Sequence, residues 1–267
     1  MKYFLTAVTV LFFACNTTKH AATSPEAAMP KNISLNGKLF TALFEQRAAE
    51  YRALCLQGYN AARMRIDTYA AQSSKPKAMI TDIDETILDN SAYAVHQAWQ
   101  GKEYIVPDWY DWTDRAAADT MPGAAAFLKY AQSKNVEIFY VTNRETRERP
   151  GTLRNLQRFN LPYADESHLL TRRTGSSKED RRMEVMQSHE VILLMGDNLA
   201  DFSTLFDKKI EEERRANVDA LSSEFGRKFI FFPNPNYGDW ETSLYKYNYK
   251  LTQPQKDSVL RSVLKTY

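Results

Sequence analysis

Asp82 and Asp84 stand two residues apart where the apolar run Met79-Ile80-Thr81 meets the polar turn Glu85-Thr86. Such a run reads as a buried strand, and open α/β sheets bind ligands just beyond the carboxyl ends of their strands. Two carboxylates this close repel each other unless a cation or a proton intervenes. The pair therefore asks for a hard divalent ion such as Mg²⁺, which takes carboxylate oxygens and commonly bridges to a phosphate. A lone Asp-x-Asp could also end a strand with no function. A second run, Val191-Ile192-Leu193-Leu194-Met195-Gly196, closes on Asp197, with Asp201 one helical turn later. A third, Val136-Glu137-Ile138-Phe139-Tyr140-Val141, ends in Thr142-Asn143-Arg144, and Lys178 lies in the polar segment between these two. Three strand ends thus deliver an acid pair, a hydroxyl and another acid pair, with one cation between. Charge neutralisation and an in-line nucleophile are what phosphoryl transfer needs.

The order Asp-x-Asp-x-Thr, Thr-Asn-Arg, Lys, Gly-Asp-Asn-x-x-Asp resembles the haloacid dehalogenase superfamily of phosphatases. The strings from Ile80 to Tyr93 and from Ile192 to Phe202 are more specific. They are similar to the paired signatures of bacterial class C acid phosphatases, the lipoprotein e family of 5′-nucleotidases. The resemblance runs from about residue 36 to the C-terminus and includes Phe232-Pro233-Asn234-Pro235-Asn236-Tyr237-Gly238-Asp239-Trp240-Glu241.

This resemblance implies an α/β fold: a Rossmannoid parallel sheet with helices on both faces and a smaller, mainly helical cap or accessory subdomain. It implies an Mg²⁺-dependent acid phosphatase that hydrolyses phosphate monoesters, nucleoside 5′-monophosphates among them. Asp82 would be the nucleophile, carrying an aspartyl-phosphate, and Asp84 the general acid and base. Thr142 and the backbone N–H of Asn143 would hold the phosphate oxygens, with Lys178 as counter-charge. The metal would take the carboxylates of Asp82 and Asp197 and the backbone carbonyl of Asp84, and Asp201 would orient Lys178 or the metal's waters. Relatives hold a flat leaving group between aromatic rings, and the matching positions are Trp109 and Tyr237. Stacking on such rings tolerates different bases. From the residues alone, Thr142 could be a strand-end cap, Lys178 a surface lysine, Asp201 a first-turn helix carboxylate and Tyr237 a loop-packing residue.

The elements that must position these groups follow from periodicity. Phe40, Leu43, Phe44, Ala48, Tyr51, Leu54, Cys55 and Tyr59 recur at helical spacing, which predicts one or two helices from Leu39 to about Ala71. The first strand should span Lys77 to Ile83. The aromatic-rich insert from Asp89 to Thr120 should cap the site, with most of its rings forming a mini-core. Strands are expected at Val136–Thr142, His168–Leu170, Val191–Gly196 and Phe229–Phe232. Helices are expected near Thr152–Phe159, Lys178–Ser188 and Asp201–Ala220, with helical spacing again from Ser243 to Tyr267. Such alternation argues for a parallel sheet. The expected division is a core of about 77–88 and 120–233, with an accessory part of about 37–75, 89–119 and 240–267.

With 35 basic against 33 acidic side chains, net charge is only +2, which argues against a nucleic-acid partner. The Lys208-Lys209 and Arg214-Arg215 pairs, offset by Glu211-Glu212-Glu213, read as a solvated helix face. Residues 1–14 form a short apolar leader, shorter than the about 20 residues a spanning helix needs, and suit a secretory signal. Ala14-Cys15 resembles a lipobox, making Cys15 a lipidation site, although Phe12 and Phe13 are bulkier than usual and leave a plain signal peptide open. Residues 15–36 read as a flexible tether. The expected location is the bacterial outer membrane, through a lipid anchor, or the periplasm; Asn16 beside the lipid site points to outer-membrane retention. With Cys15 lipidated, only Cys55 remains, a buried inert thiol, and no internal disulfide is possible. No histidine falls in ligand spacing. The oligomeric state and the preferred monophosphate are not legible. A phosphotransferase that passes the phosphoryl group to an alcohol, and a surface lipoprotein that binds a flat cofactor, are the rival readings.

Overall fold

In the computed structural model, which describes residues 32–267, two helices come first: α1 (Ile33–Arg47) and α2 (Ala49–Thr68). The leader, Cys15 and most of the expected tether lie outside the described residues. The tether's expected end at residue 36 is corrected, because α1 already begins at Ile33. Along α2, Tyr51, Cys55, Tyr59, Ala62 and Ile66 fall on one stripe and are buried. Burial pushes the Cys55 thiol up to about 11, which keeps it protonated and unreactive.

Five parallel strands follow: β1 (Lys77–Thr81), then, after the insert, β4 (Glu137–Glu145), β5 (Leu169–Arg172), β6 (Glu190–Gly196) and β7 (Phe229–Phe231). Their order is β5-β4-β1-β6-β7. The chain winds outward from central β1 to β5, then returns across β1 to β6 and β7. The crevice where the winding reverses opens at the carboxyl ends of β1 and β6, the ligand-binding position of this topology.

Strand alternation explains the two apolar layers. Met79, Ile138, Tyr140 and Met195 face one cluster, while Ala78, Ile80, Phe139, Val141 and Leu194 face the other. A bulge between Ala78 and Met79 admits one extra residue of β6, so Ile192 and Leu193 both join the first cluster. α2 and α5 (Ala124–Ser133) cover that layer, and α7 (Glu179–Ser188) covers the other. Gly58 interrupts α2 at a cost of about 1 kcal/mol. A Cβ there would come within 2.8 Å of the Phe232 ring, so glycine lets that ring reach Tyr59.

The insert is built from β2 (Leu88–Asp89) paired antiparallel with β3 (Asp119–Thr120), and between them α3 (Ser91–Trp99) and α4 (Val106–Arg115). Helix α1 lies along α3, with Gln46 donating to Ser91 Oγ (3.1 Å) and Ser34 to Glu103 Oε1 (2.8 Å). The expected aromatic mini-core forms only in part: Tyr93, Tyr104 and Trp109 pack ring to ring, and the rest do not join them. Tyr93 is buried, but Trp99 and Tyr104 are exposed, and Trp112 packs against the main core.

The expected helix over Asp201–Ala220 is also corrected. Asn198 and Ser203 each accept a backbone N–H and close short 3₁₀ turns at Leu199–Asp201 and Thr204–Phe206, so the helix, α8, begins only at Glu211 and ends at Ala220. On and just before α8, Arg215–Glu211 and Lys209–Glu213 pair on the surface, but Arg214 is buried and donates to the Phe206 carbonyl, which corrects that part of the solvated face. The remaining helices are α6 (Arg149–Arg158), α9 (Asp239–Leu244) and α10 (Gln253–Val263). From α9, Glu241 pairs with Lys38 of α1 (2.8 Å), and from α10, Lys256 pairs with Glu103.

Candidate active site

β1 stops at Thr81, so Asp82 is the first residue beyond its end. Its N–H still donates to the Met195 carbonyl (2.9 Å), which seats it beside Gly196-Asp197 of β6. The chain then turns sharply, with the N–H groups of Thr86, Ile87 and Leu88 all pointing at the Ile83 carbonyl. Glu85 takes a left-handed conformation (φ 53°) within this turn, and Asp84 is turned toward the cavity. At the end of β6 a glycine is required, because a Cβ on Gly196 would lie 2.2 Å from Asp201 Oδ2. Asp201 Oδ2 accepts the Asn198 N–H (3.0 Å) and Oδ1 meets Lys178 Nζ at 2.6 Å. Lys178 also contacts Asp82 Oδ1.

Asp82, Asp197 and Asp201 each offer a carboxylate oxygen, all within 4.8 Å of one another. Burial pushes the Asp82 carboxyl up, Lys178 pulls it down, and Asp201 and Asp84 push again, leaving it at about 7. Burial, then Asp82 and Asp201, hold Asp197 well above the carboxylate range against the Asn234 hydrogen bond. Burial opposes a charge on Lys178, but Asp201 and Asp82 outweigh it and keep the ammonium above its ordinary range. Three carboxylates thus crowd one lysine, and a divalent cation relieves this repulsion. The donor set is all oxygen, which fits a hard ion.

A cavity of about 750 Å³ opens over the cluster. Asp82, Asp84, Asn143, Lys178, Asp197, Asp201, Trp109 and Tyr237 all line it, so the sequence-predicted residues within the described chain converge there, with one exception. Thr142 is fully buried behind the wall, and its Oγ1 accepts the Arg144 N–H (3.1 Å). Trp109 stands edge-on to Tyr93 at 5.1 Å, and Tyr237 hangs over the cavity with its hydroxyl on Glu85.

Four supporting residues were not singled out from the sequence. Buried Arg144 donates to Asp84 from Nη2 (2.7 Å) and Nε (3.1 Å to Oδ2). Asn90 donates to Asp84 (2.8 Å) and accepts from Trp112 Nε1 (2.8 Å). Glu85 accepts from Asn90 and from Tyr237. Asn234 donates to Asp197 Oδ2 (2.8 Å) while accepting the Tyr237 N–H (3.2 Å), so one amide ties an acid to an aromatic wall. All four lie inside the strings that carry the resemblance, but spacing alone gives no pairing partner to an arginine or an amide.

The family model for the acid phosphatases of haloacid dehalogenase subfamily IIIB matches residues 6–240. A class C acid phosphatase from Bacillus anthracis is 40% identical and superposes with a TM-score of 0.84, over 88% of this chain and 99% of that one. A second structure of the class C enzyme from that organism, with tungstate bound, is 39% identical, with the same coverage and TM-score. The chain belongs to the subfamily IIIB acid phosphatases of the haloacid dehalogenase superfamily and is a phosphomonoesterase.

Proposed function

We propose that this protein is an exported, Mg²⁺-dependent acid phosphatase acting on nucleoside 5′-monophosphates through an aspartyl-phosphate on Asp82. The observation that carries the reading is the meeting of carboxylates from two separate strand ends, Asp82 after β1 and Asp197 after β6, with Lys178 held against Asp82 and Asp201. Superfamily phosphatases generally use a divalent metal. Asp82, Asp197 and the Asp84 carbonyl would hold it here, and when bound it neutralises charge on the phosphate.

An oxygen of Asp82 attacks phosphorus, the ester P–O bond breaks, and the Asp84 carboxyl gives its proton to the leaving alkoxide. To do so Asp84 must turn from Arg144 toward the ester oxygen. Water then attacks phosphorus, Asp84 takes its proton, and inorganic phosphate leaves with the Asp82 carboxylate restored. Lys178 and the Asn143 N–H hold the non-bridging oxygens, and Thr142 supports that turn through the Arg144 N–H. The tungstate held by the class C relative, a tetrahedral oxyanion, supports a phosphate seat in this architecture.

Trp109 and Tyr237 supply ring faces for a nucleobase, which supports breadth across nucleoside monophosphates. Residues of about 77–88 and 120–233 form the catalytic core, and about 37–75, 89–119 and 240–267 form the accessory part that carries Trp109. Residues 1–14 are the export signal, Cys15 carries the lipid anchor and 15–31 the tether. No helix among the described residues is long and apolar enough to cross a membrane. The deciding assay is hydrolysis of p-nitrophenyl phosphate and of nucleoside monophosphates, with and without EDTA, beside Asp82→Asn. Full activity in EDTA, or an active Asp82→Asn variant, removes the mechanism.

A further inference from the structure

We propose that Arg181 and Arg182, neighbours on α7, are positioning residues that separately set the two halves of the site: Arg181 the phosphate-binding turn and Arg182 the acid loop of the metal side. The proposal rests on the functional reading above. Each residue is only 1% exposed, and arginine is almost never so buried unless its donors are matched. Successive residues on an α-helix point about 100° apart, so an adjacent pair on one helix can reach two different loops.

Arg181 reaches the turn where Asn143 and Lys178 meet. Its Nη1 donates to the Thr142 carbonyl (2.5 Å) and, more weakly, to the Leu170 carbonyl (3.5 Å). Its Nη2 donates to Asn143 Oδ1 (3.0 Å) and the Ser177 carbonyl (2.8 Å). One guanidinium therefore binds the end of β4 to the residue before Lys178. Its partners are almost all neutral oxygens; its nearest carboxylate, the half-exposed Asp180, lies 3.6 Å from Nε. A cation so weakly compensated lends positive potential to the turn it holds.

Arg182 points to the other half. Its Nη1 donates to the carbonyls of Ala200 (2.8 Å) and Asp201 (2.9 Å), and Nε and Nη2 engage Glu179. It fixes the 3₁₀ turn that aims the Asp201 carboxylate at Lys178. Only a planar fork spans such sets of acceptors; a lysine, with donors on a single atom, cannot.

The test is calorimetric titration of the full chain with Mg²⁺ alone, and with inorganic phosphate at saturating Mg²⁺, for wild type, Arg181→Lys and Arg182→Lys. Arg181→Lys is expected to weaken phosphate about 10-fold or more and Mg²⁺ less than about 2-fold. Arg182→Lys is expected to weaken Mg²⁺ by about 10-fold or more and phosphate, which it reaches only through Asp201 and Lys178, by clearly less. Thermal unfolding of each variant reports packing loss, which alone would weaken both ligands together. Should either lysine variant fail to fold, Glu179→Gln removes only a half-exposed partner of Arg182 and should weaken Mg²⁺ more than phosphate. Equal weakening of both ligands by each variant, or no change in either, overturns the proposal. If wild type binds neither ligand, the functional reading itself fails instead.

Discussion

The two ends of the parallel sheet both gather titratable side chains, and they treat them in opposite ways. At the amino end, each oxygen of Glu137 meets an imidazole Nε2, from His168 at 2.9 Å and His189 at 3.0 Å, and His168 Nδ1 meets Asp165 at 2.7 Å. Burial works against ionised Glu137, yet its hydrogen bonds to the two histidines hold it below the usual carboxylate range. At the carboxyl end, Asp197 is held well above that range and Asp82 is raised to about 7. Charge matched within the protein marks the structural end, and charge left for something else to match marks the working end. Composition cannot separate them, because both are clusters of acids with nitrogen partners.

Removing the raised charge should cost activity but not stability. Asp82→Asn is expected to lower kcat by at least ~10³-fold, since it removes the nucleophile, while thermal unfolding in metal-free buffer stays level or shifts upward. A steady-state assay beside a melting curve checks both halves. Metal removal comes next: chelation should lower the rate at least ~100-fold, with recovery on adding Mg²⁺, identically in wild type and Glu137→Gln. A Glu137→Gln variant that lost its metal response would break the contrast.

Glu45 of α1, off the sheet itself, tests how strongly burial can raise a carboxyl. Its Oε1 is buried without a hydrogen-bond partner, and burial, assisted by Asp89 and opposed by Asn236, raises it from 4.5 to about 7. The folded state therefore holds the proton more tightly than the unfolded chain, and stability should fall as pH rises from about 4.5 to about 7. The expected loss is about 3 kcal/mol, and Glu45→Gln should flatten that part of the profile in denaturant titrations. The smallest effect belongs to Glu137→Gln, about 0.5–1 kcal/mol at neutral pH with unchanged kcat. Because the Glu137 pKa is lowered, its contribution is present near neutrality and fades as the pH falls through that lowered value.

Much of the fold was legible because strand and helix periods differ and each core strand is apolar on both faces. The two apolar layers of the sheet follow from that alternation. That no helix begins at Asp201 was not legible, because Asn198 and Ser203 compete for backbone N–H groups in a way that periodicity does not register. The site was legible where residues sit at strand ends, as Asp82, Asp84 and Asp197 do. Arg144, Asn90 and Asn234 escaped notice because their work is pairwise, and local spacing names no partner for an arginine or an amide, least of all for Arg144, whose partner Asp84 lies 60 residues away. Thr142 shows the converse: β4 runs on to Glu145, so this residue lies inside the strand and not at its expected end, and its hydroxyl is turned inward on the Arg144 N–H.

The most direct test of the account is mass spectrometry of peptides from wild-type enzyme quenched in acid during turnover of a phosphate monoester with Mg²⁺. The account predicts a phosphoryl adduct on the peptide that carries Asp82, absent from Asp82→Asn and from enzyme quenched without substrate. An adduct on any other residue, or none while quenched-flow shows a burst of released alcohol, would contradict it.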